Sequence, residues 1–311
     1  MKKIIIGFLF FSFSAFAGGE SLLDSEAQVT GFGKVKYRAP AVQGEGFPIV
    51  LFHGIYGGAS HRTWRALLPE LESQGKTVYI MDLPGAGESE KPAKVGDDGY
   101  KISDFDIFVE KFLEEVVGES SIVVSESILS NAALRVSAAR PDLVRRVVLI
   151  NPSGVTSLNE PPSQREQGEF ERFSNNDDAL IARYQGLLIE NSIKFFLKFG
   201  FYDDSLVNAD LVSDFTVMRD NIDQRYLTLS FITGQLYRPF EESAQGVFKP
   251  VLGIFGAEYE GFQGRRPATA ADFQQIRPDF NFIEIENSGS SVQREKPSDV
   301  AREIIIFAED D

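Results

Sequence analysis

The chain has 311 residues, 43% of them hydrophobic and 12% aromatic, with a formal net charge of −15. That apolar content is enough for a sizeable core and excludes a disordered chain. The acidic balance argues against nucleic acid as a partner, because like charge repels a phosphate backbone. Cysteine is absent and histidine occurs twice, which removes disulfides, a thiol nucleophile and a thiolate metal site. No metal or cofactor is expected.

Lys2 and Lys3 precede the apolar run Ile4–Phe11, and Ala15-Phe16-Ala17 places small residues at a cleavage site. This is the pattern of a secretory leader, too short to span ~30 Å of hydrocarbon comfortably. Residues 1–17 are therefore expected to be a signal peptide cleaved after Ala17. The mature protein is expected in the periplasm or outside the cell, with no stable membrane anchor.

Gln28–Thr30 and Lys34–Tyr37 alternate like strands around Gly31 and Gly33. Pro48–Phe52 is a continuous apolar run suited to a strand buried on both faces. His61–Leu71 has helical spacing and Val78–Met81 reads as a further buried strand. Phe105–Val117 predicts a helix, Ile122–Val124 a strand, Asn131–Ala139 a helix and Val147–Ile150 a strand. This alternation predicts a parallel sheet with helices on both faces.

The rhythm breaks after Pro152. Ser157–Phe173 reads as a polar loop, while Leu180–Phe199 and Asp210–Tyr237 read as mostly helical. Strands return at Pro250–Phe255 and Phe280–Ile285, and Asp299–Phe307 closes the chain as a helix. The expected organisation is a core of residues 18–152 and 247–311, with a helical cap at 153–246. The cap carries Phe195, Phe196, Phe199, Phe201, Tyr202, Phe215, Tyr226, Phe231 and Tyr237. Together they favour a small apolar molecule or ester as the partner. The oligomeric state is left open.

Four motifs occur in order: Phe52-His53-Gly54; Asp82-Leu83-Pro84-Gly85-Ala86-Gly87-Glu88-Ser89; Ser125-Glu126-Ser127-Ile128-Leu129; and Asn287-Ser288-Gly289 before Glu295-Lys296-Pro297. In this order and spacing the chain resembles the α/β-hydrolase family, and within it the capped, esterase- and lipase-like members. The resemblance implies an α/β fold with a mostly parallel sheet of about eight strands. It places Ser127 at the nucleophile position of the strand-to-helix elbow. Ser125 and Leu129 stand where glycines usually flank that serine. Gly54, Ile55 and Ile128 would form the oxyanion hole.

In the same pattern a histidine follows Gly289, where this chain has Ser290. The partner acid would fall at Tyr259, with Glu258 one residue earlier as a weak substitute acid or base. Serine cannot take up a proton near neutral pH as imidazole can. His53 is expected to support its turn, His61 to face solvent at a helix start, and Asp82 to fix the turn after its strand. Glu126 is expected to be exposed or ion-paired, pointing away from Ser127. The resulting expectation is an esterase-type hydrolase site with weak or atypical hydrolysis at best. The alternative is a catalytically inactive protein that binds a small apolar ligand.

Overall fold

Runs rich in β-branched and other apolar residues, four to seven long, set the five central strands, which are buried along all but at most one position each. In chain order they are β1 (Ser25–Val29), β2 (Gly33–Arg38), β3 (Ile49–Phe52), β4 (Val78–Met81), β5 (Ser121–Glu126), β6 (Val144–Ile150), β7 (Val251–Gly256) and β8 (Asn281–Ile285). The computed structural model describes residues 18–40, 43–92, 99–259, 261 and 266–309. The expected leader at 1–17 lies outside them. Among the described residues the strands form one eight-stranded sheet of order β1-β2-β4-β3-β5-β6-β7-β8. β2 pairs antiparallel with both β1 and β4, and every other neighbouring pair is parallel.

The helices are α1 (Leu67–Ser73), α2 (Ile102–Phe112), α3 (Leu129–Ala139), α4 (Gln164–Ser174), α5 (Asp177–Leu187), α6 (Glu190–Gly200), α7 (Ala209–Thr216), α8 (Arg225–Ile232), α9 (Phe240–Ala244), α10 (Ala270–Ile276), α11 (Val292–Glu295) and α12 (Pro297–Glu309). Among the described residues none is long and apolar enough to cross a membrane.

Period-two alternation sends neighbouring strand residues to opposite faces. Val50, Phe52, Val123, Val147 and Leu149 pack with Phe105, Phe108 and Phe112 of α2 and with Ala132 and Ala133 of α3. Ile49, Leu51, Ile122, Val124, Val148 and Ile150 pack on the other face with Leu67, Leu68 and Leu71 of α1 and Ile304 of α12. Both faces of the central strands are therefore buried, which is why these strands are apolar throughout rather than alternating.

α4 to α9 lie between β6 and β7. Tyr184, Leu188, Ile193, Leu197, Phe201, Val212, Phe215 and Met218, from α5 to α7 and the turns beside them, share a core of their own, while Phe170 of α4, Leu227 and Leu229 of α8, and Phe240 and Ala244 of α9 join the main core. The polar loop expected over Ser157–Phe173 is corrected here, since its second half is α4. A capping box starts the helix: Ser163 Oγ accepts from Glu166 N, and Glu166 Oε2 accepts from Ser163 N at 2.8 Å. The same device, Thr269 with Asp272, starts α10, a helix outside the sequence expectation. The helix expected over His61–Leu71 divides into a 3₁₀ turn at His61–Trp64 and then α1.

The segment that follows residue 17 ties the core to the cap. Gly19 N donates to Asp214 Oδ1 of α7 at 3.0 Å, and Arg65 Nη2 donates to the same oxygen at 2.7 Å. Arg65 Nη2 also donates to Glu20 O, and Arg62 Nε to Gly19 O. Leu22, 2% exposed, enters the core beside α1. Gly19 has φ +80°, and a Cβ there would stand 2.6 Å from Ser213 Oγ, so both conformation and space call for glycine.

Candidate active site

Ser127 sits directly after β5 with φ 54°. A non-glycine residue in this left-handed region is strained by about 1–3 kcal/mol and persists only where its surroundings hold it. They do so here: Ser127 N donates to Ile150 O at 2.9 Å, and Ser127 O accepts from Ser130 N and Ser153 N. The hydroxyl of Ser127 is 3.2 Å from the hydroxyl of Ser153, on the loop after β6. No other hydrogen bond of Ser127 Oγ is present among the described residues. Leu129 is fully buried in the core shared with α2 and does not line the cavity above Ser127. The bulky residue in the elbow is thus absorbed by core packing.

The cavity is about 1100 Å³ and lies over the C-terminal ends of the parallel strands, where α/β sheets place their ligands. Glu126 and Ser127 reach it from β5, Ser153 from the loop after β6, and Tyr259 and Ser290 from the loops after β7 and β8. Of the aromatic residues expected to roof a pocket, Phe196, Phe215 and Phe231 line it. Phe195, Phe199 and Tyr202 are exposed, and Phe201 is buried.

Glu126 overturns its expectation. It is buried, makes no ion pair within 4 Å among the described residues, and lines the cavity. Its Oε2 accepts from Gly54 N at 2.9 Å, and its Oε1 accepts from Gln293 Nε2 at 2.9 Å. Burial pushes its carboxyl above the usual carboxylate range, opposed by the Gly54 N–H, the Arg294 charge and Gln293. Burial likewise raises the Tyr56 phenol, and the nearby Glu126 raises it further. The amide of Gly54, expected in the oxyanion hole, is therefore committed to a carboxylate. The N–H groups of Ile55 and Ile128 have no partner among the described residues.

Glu258 stands apart from the cavity wall. Its Oε2 accepts from Ser288 N at 2.9 Å, and its N donates to Ser288 O at 3.0 Å. Backbone donors at Asn287 and Ser288 hold its carboxyl below its ordinary value. It clamps the turn after β8, which corrects its candidacy as an acid or base. The loop beyond is held to α6 and to the loop after β6: Ser291 N donates to Gly200 O, and Asn151 Nδ2 donates to Ser290 O at 2.6 Å. Glu295 Oε2 accepts from Gly289 N, while its Oε1 accepts from Tyr202 N and Asp203 N.

Both histidines are fully buried and spent on structure. His53 Nδ1 donates to Gly54 O at 2.7 Å, and its Nε2 accepts from Leu83 N at 3.1 Å. His61 Nδ1 donates to Asp82 Oδ2 at 2.9 Å, and its Nε2 accepts from Leu22 N at 3.1 Å. The solvent-facing position expected for His61 is thus corrected; Asp82, from the end of β4, pulls it inward. Asp82 also accepts from His61 N and Glu88 N. His61, Asp82 and Glu88 form the metal-sized cluster found among the described residues, yet these contacts and the Arg62–Glu88 ion pair already occupy it.

Sequence reasoning named Glu126 but placed it wrongly, and missed Gln293, Arg294 and Ser153. A carboxylate directly after Ile122–Ser125, before the elbow, was a readable sign of a buried acid. Nothing in the sequence marked the four-residue α11.

The strand order, the strained serine after β5 and the cavity above it define an α/β-hydrolase. Residues 48–230 match the sequence profile described as alpha/beta hydrolase fold, and the chain belongs to this family. It is 32% identical over 117 residues to a 2-hydroxymuconate semialdehyde hydrolase of a Pseudomonas species, covering 36% of this chain and 39% of that protein. The match thus spans well under half of that relative. Among solved structures, a probable hydrolytic enzyme of Pseudomonas aeruginosa is similar, with TM-score 0.71 and 18% identity over 92% of this chain and 94% of that one. An enol-lactonase of Burkholderia xenovorans has TM-score 0.69 and 19% identity over 92% and 100%. At these identities the likeness is one of fold.

The pKa of His53 is lowered, first by burial, with Asp82 opposing. A depressed folded-state pKa means the unfolded chain binds the extra proton more readily. This contribution to stability is complete above the unfolded value, ~6.5, and is lost as pH falls below it. Stability should therefore decline between pH 7 and 5, by at most about 1.4 kcal/mol per pH unit from this group. Urea unfolding of wild type and of a folded His53→Gln variant checks this, the variant losing that part of the slope.

Proposed function

We propose that this chain is an exported relative of the capped α/β-hydrolases whose cavity binds a small, largely apolar molecule. Ser127 supports weak or atypical ester hydrolysis at best. The observation that carries this reading is the partner of the Ser127 hydroxyl: another serine hydroxyl, that of Ser153. A serine nucleophile needs an adjacent base to be activated. Both histidine rings are committed elsewhere, and the cavity wall carries Ser290 and Tyr259 where the family pattern has its histidine and acid.

A second reading, with no turnover at all, is favoured by the Gly54 amide. One donor of an oxyanion hole contributes about 3–4 kcal/mol to catalysis, and Glu126 already accepts from this one. The leader pattern supports export, with Gly18 as the first mature residue. The intact mass of the exported protein checks that assignment, and a retained leader would overturn it.

A fluorophosphonate probe should label the folded protein slowly, and Ser127→Ala should remove whatever labelling there is. Rapid Ser127-dependent labelling would sink both readings. Introducing Ser290→His together with Tyr259→Asp should raise hydrolysis of p-nitrophenyl acetate by about 10²- to 10⁴-fold, the usual gain from a positioned general base. No gain in a folded double variant would count against the placement of those two positions.

A further inference from the structure

Arg294 lies in α11, four residues after Ser290, and lines the cavity beside Ser127 and Glu126. Its Nε donates to Thr63 Oγ1 at 3.3 Å, and its guanidinium carbon stands 4.9 Å from the centre of the Phe215 ring. Neither terminal nitrogen has a hydrogen-bond partner among the described residues, and Nη1 is buried. No carboxylate lies within 4 Å of it among those residues. Glu126 is near enough to feel its charge, but both oxygens of Glu126 already accept, from Gly54 and Gln293.

Of the three other arginines at the same cavity, Arg266 is held by two bonds to Asp272, Arg165 is paired with Glu169, and Arg183 is exposed to solvent. A buried donor left without an acceptor costs about 1–3 kcal/mol, more when it is charged. Arg294 is therefore a guanidinium placed by Thr63 and Phe215 with its fork of donors open. A planar carboxylate matches that fork with two parallel hydrogen bonds. The wall around it supplies apolar surface from Leu187, Leu197, Phe215 and Phe231.

We propose that Arg294 anchors the carboxylate of an amphipathic monocarboxylic acid, whose apolar body lies against Leu187, Leu197, Phe215 and Phe231. This rests on the reading of the cavity as a binding site and adds the ligand's class and its polar contact. Arg294 binds ligand and takes no part in proton transfer.

Calorimetric titration with octanoate and with 1-octanol tests it. Wild type should bind octanoate at least tenfold more tightly than octanol. Arg294→Gln should weaken octanoate ten- to a hundredfold and leave octanol within twofold, and Arg294→Lys should recover part of the loss. Unchanged octanoate binding in Arg294→Gln would overturn the proposal, as would an equal loss for both probes, which is the mark of a merely structural role. Should Arg294→Gln fail to fold, Arg294→Lys decides alone: a loss of octanoate affinity with octanol unchanged supports the anchor, and unaltered octanoate binding overturns it. Octanol binding without any preference for octanoate would remove the anchor and leave the cavity reading standing. No binding of either probe to folded wild type at millimolar concentration would remove both.

Discussion

The structure turns on one strained residue. Ser127 holds a left-handed backbone between β5 and α3, and the amide and carbonyl on either side of it are tied to the ends of β6 and of α3. The loops after β6, β7 and β8 meet over it, and α6 closes on them from the cap through Gly200. Such strain survives only where the surroundings over-determine it. The backbone bonds of Ser127 with Ile150, Ser130 and Ser153 supply that determination, beside a core in which Ala132 and Ala133 of α3 are fully buried with Val123 and Leu149. The turn is thus maintained by backbone bonds and the core beside it.

The polar groups near the turn show how the protein has distributed its bonding capacity. Asp82 holds His61 and the Glu88 amide; His53 holds the carbonyl of Gly54 and the amide of Leu83. Glu258 and Glu295 clamp the backbone of the loop that carries Ser290. Groups that could move protons are used as fixed struts. Around Ser127 itself the network runs from the Gly54 amide through Glu126 and Gln293 to Thr63 and Arg294. It is rich in oriented donors and contains no imidazole.

Much of this could be read from residues alone. The centre of the sheet was legible because its strands are buried on both faces and carry uninterrupted apolar runs, as Ile49–Phe52 and Val147–Ile150 show. The helix α4 was hidden by its charged surface, since only Phe170 of it is buried; its Ser163–Glu166 box was the available sign. Ser127, Tyr259 and Ser290, named from motif order, all line the cavity. Groups oriented by tertiary contact were not legible. Glu126 is turned inward by an amide 72 residues earlier in the chain, and His61 by a carboxylate 21 residues later. Arg294 is aimed by Thr63 and Phe215, neither of them near it in sequence. Periodicity reports which face a residue takes and says nothing of partners so distant.

The short segment at Gly19–Leu22 has a consequence for the order in which the molecule can be completed. Its bond to Asp214 joins residues 195 apart, and its bond to His61 plugs the ring held by Asp82. In a chain made from N- to C-terminus, β1 to β6 are all made before α7 supplies Asp214, while β7 and β8 come after it. Until α7 arrives, Arg65 lacks its carboxylate and Gly19 its acceptor. The seam between sheet and helices is therefore closed by groups far apart in the chain while the sheet still lacks its last two strands.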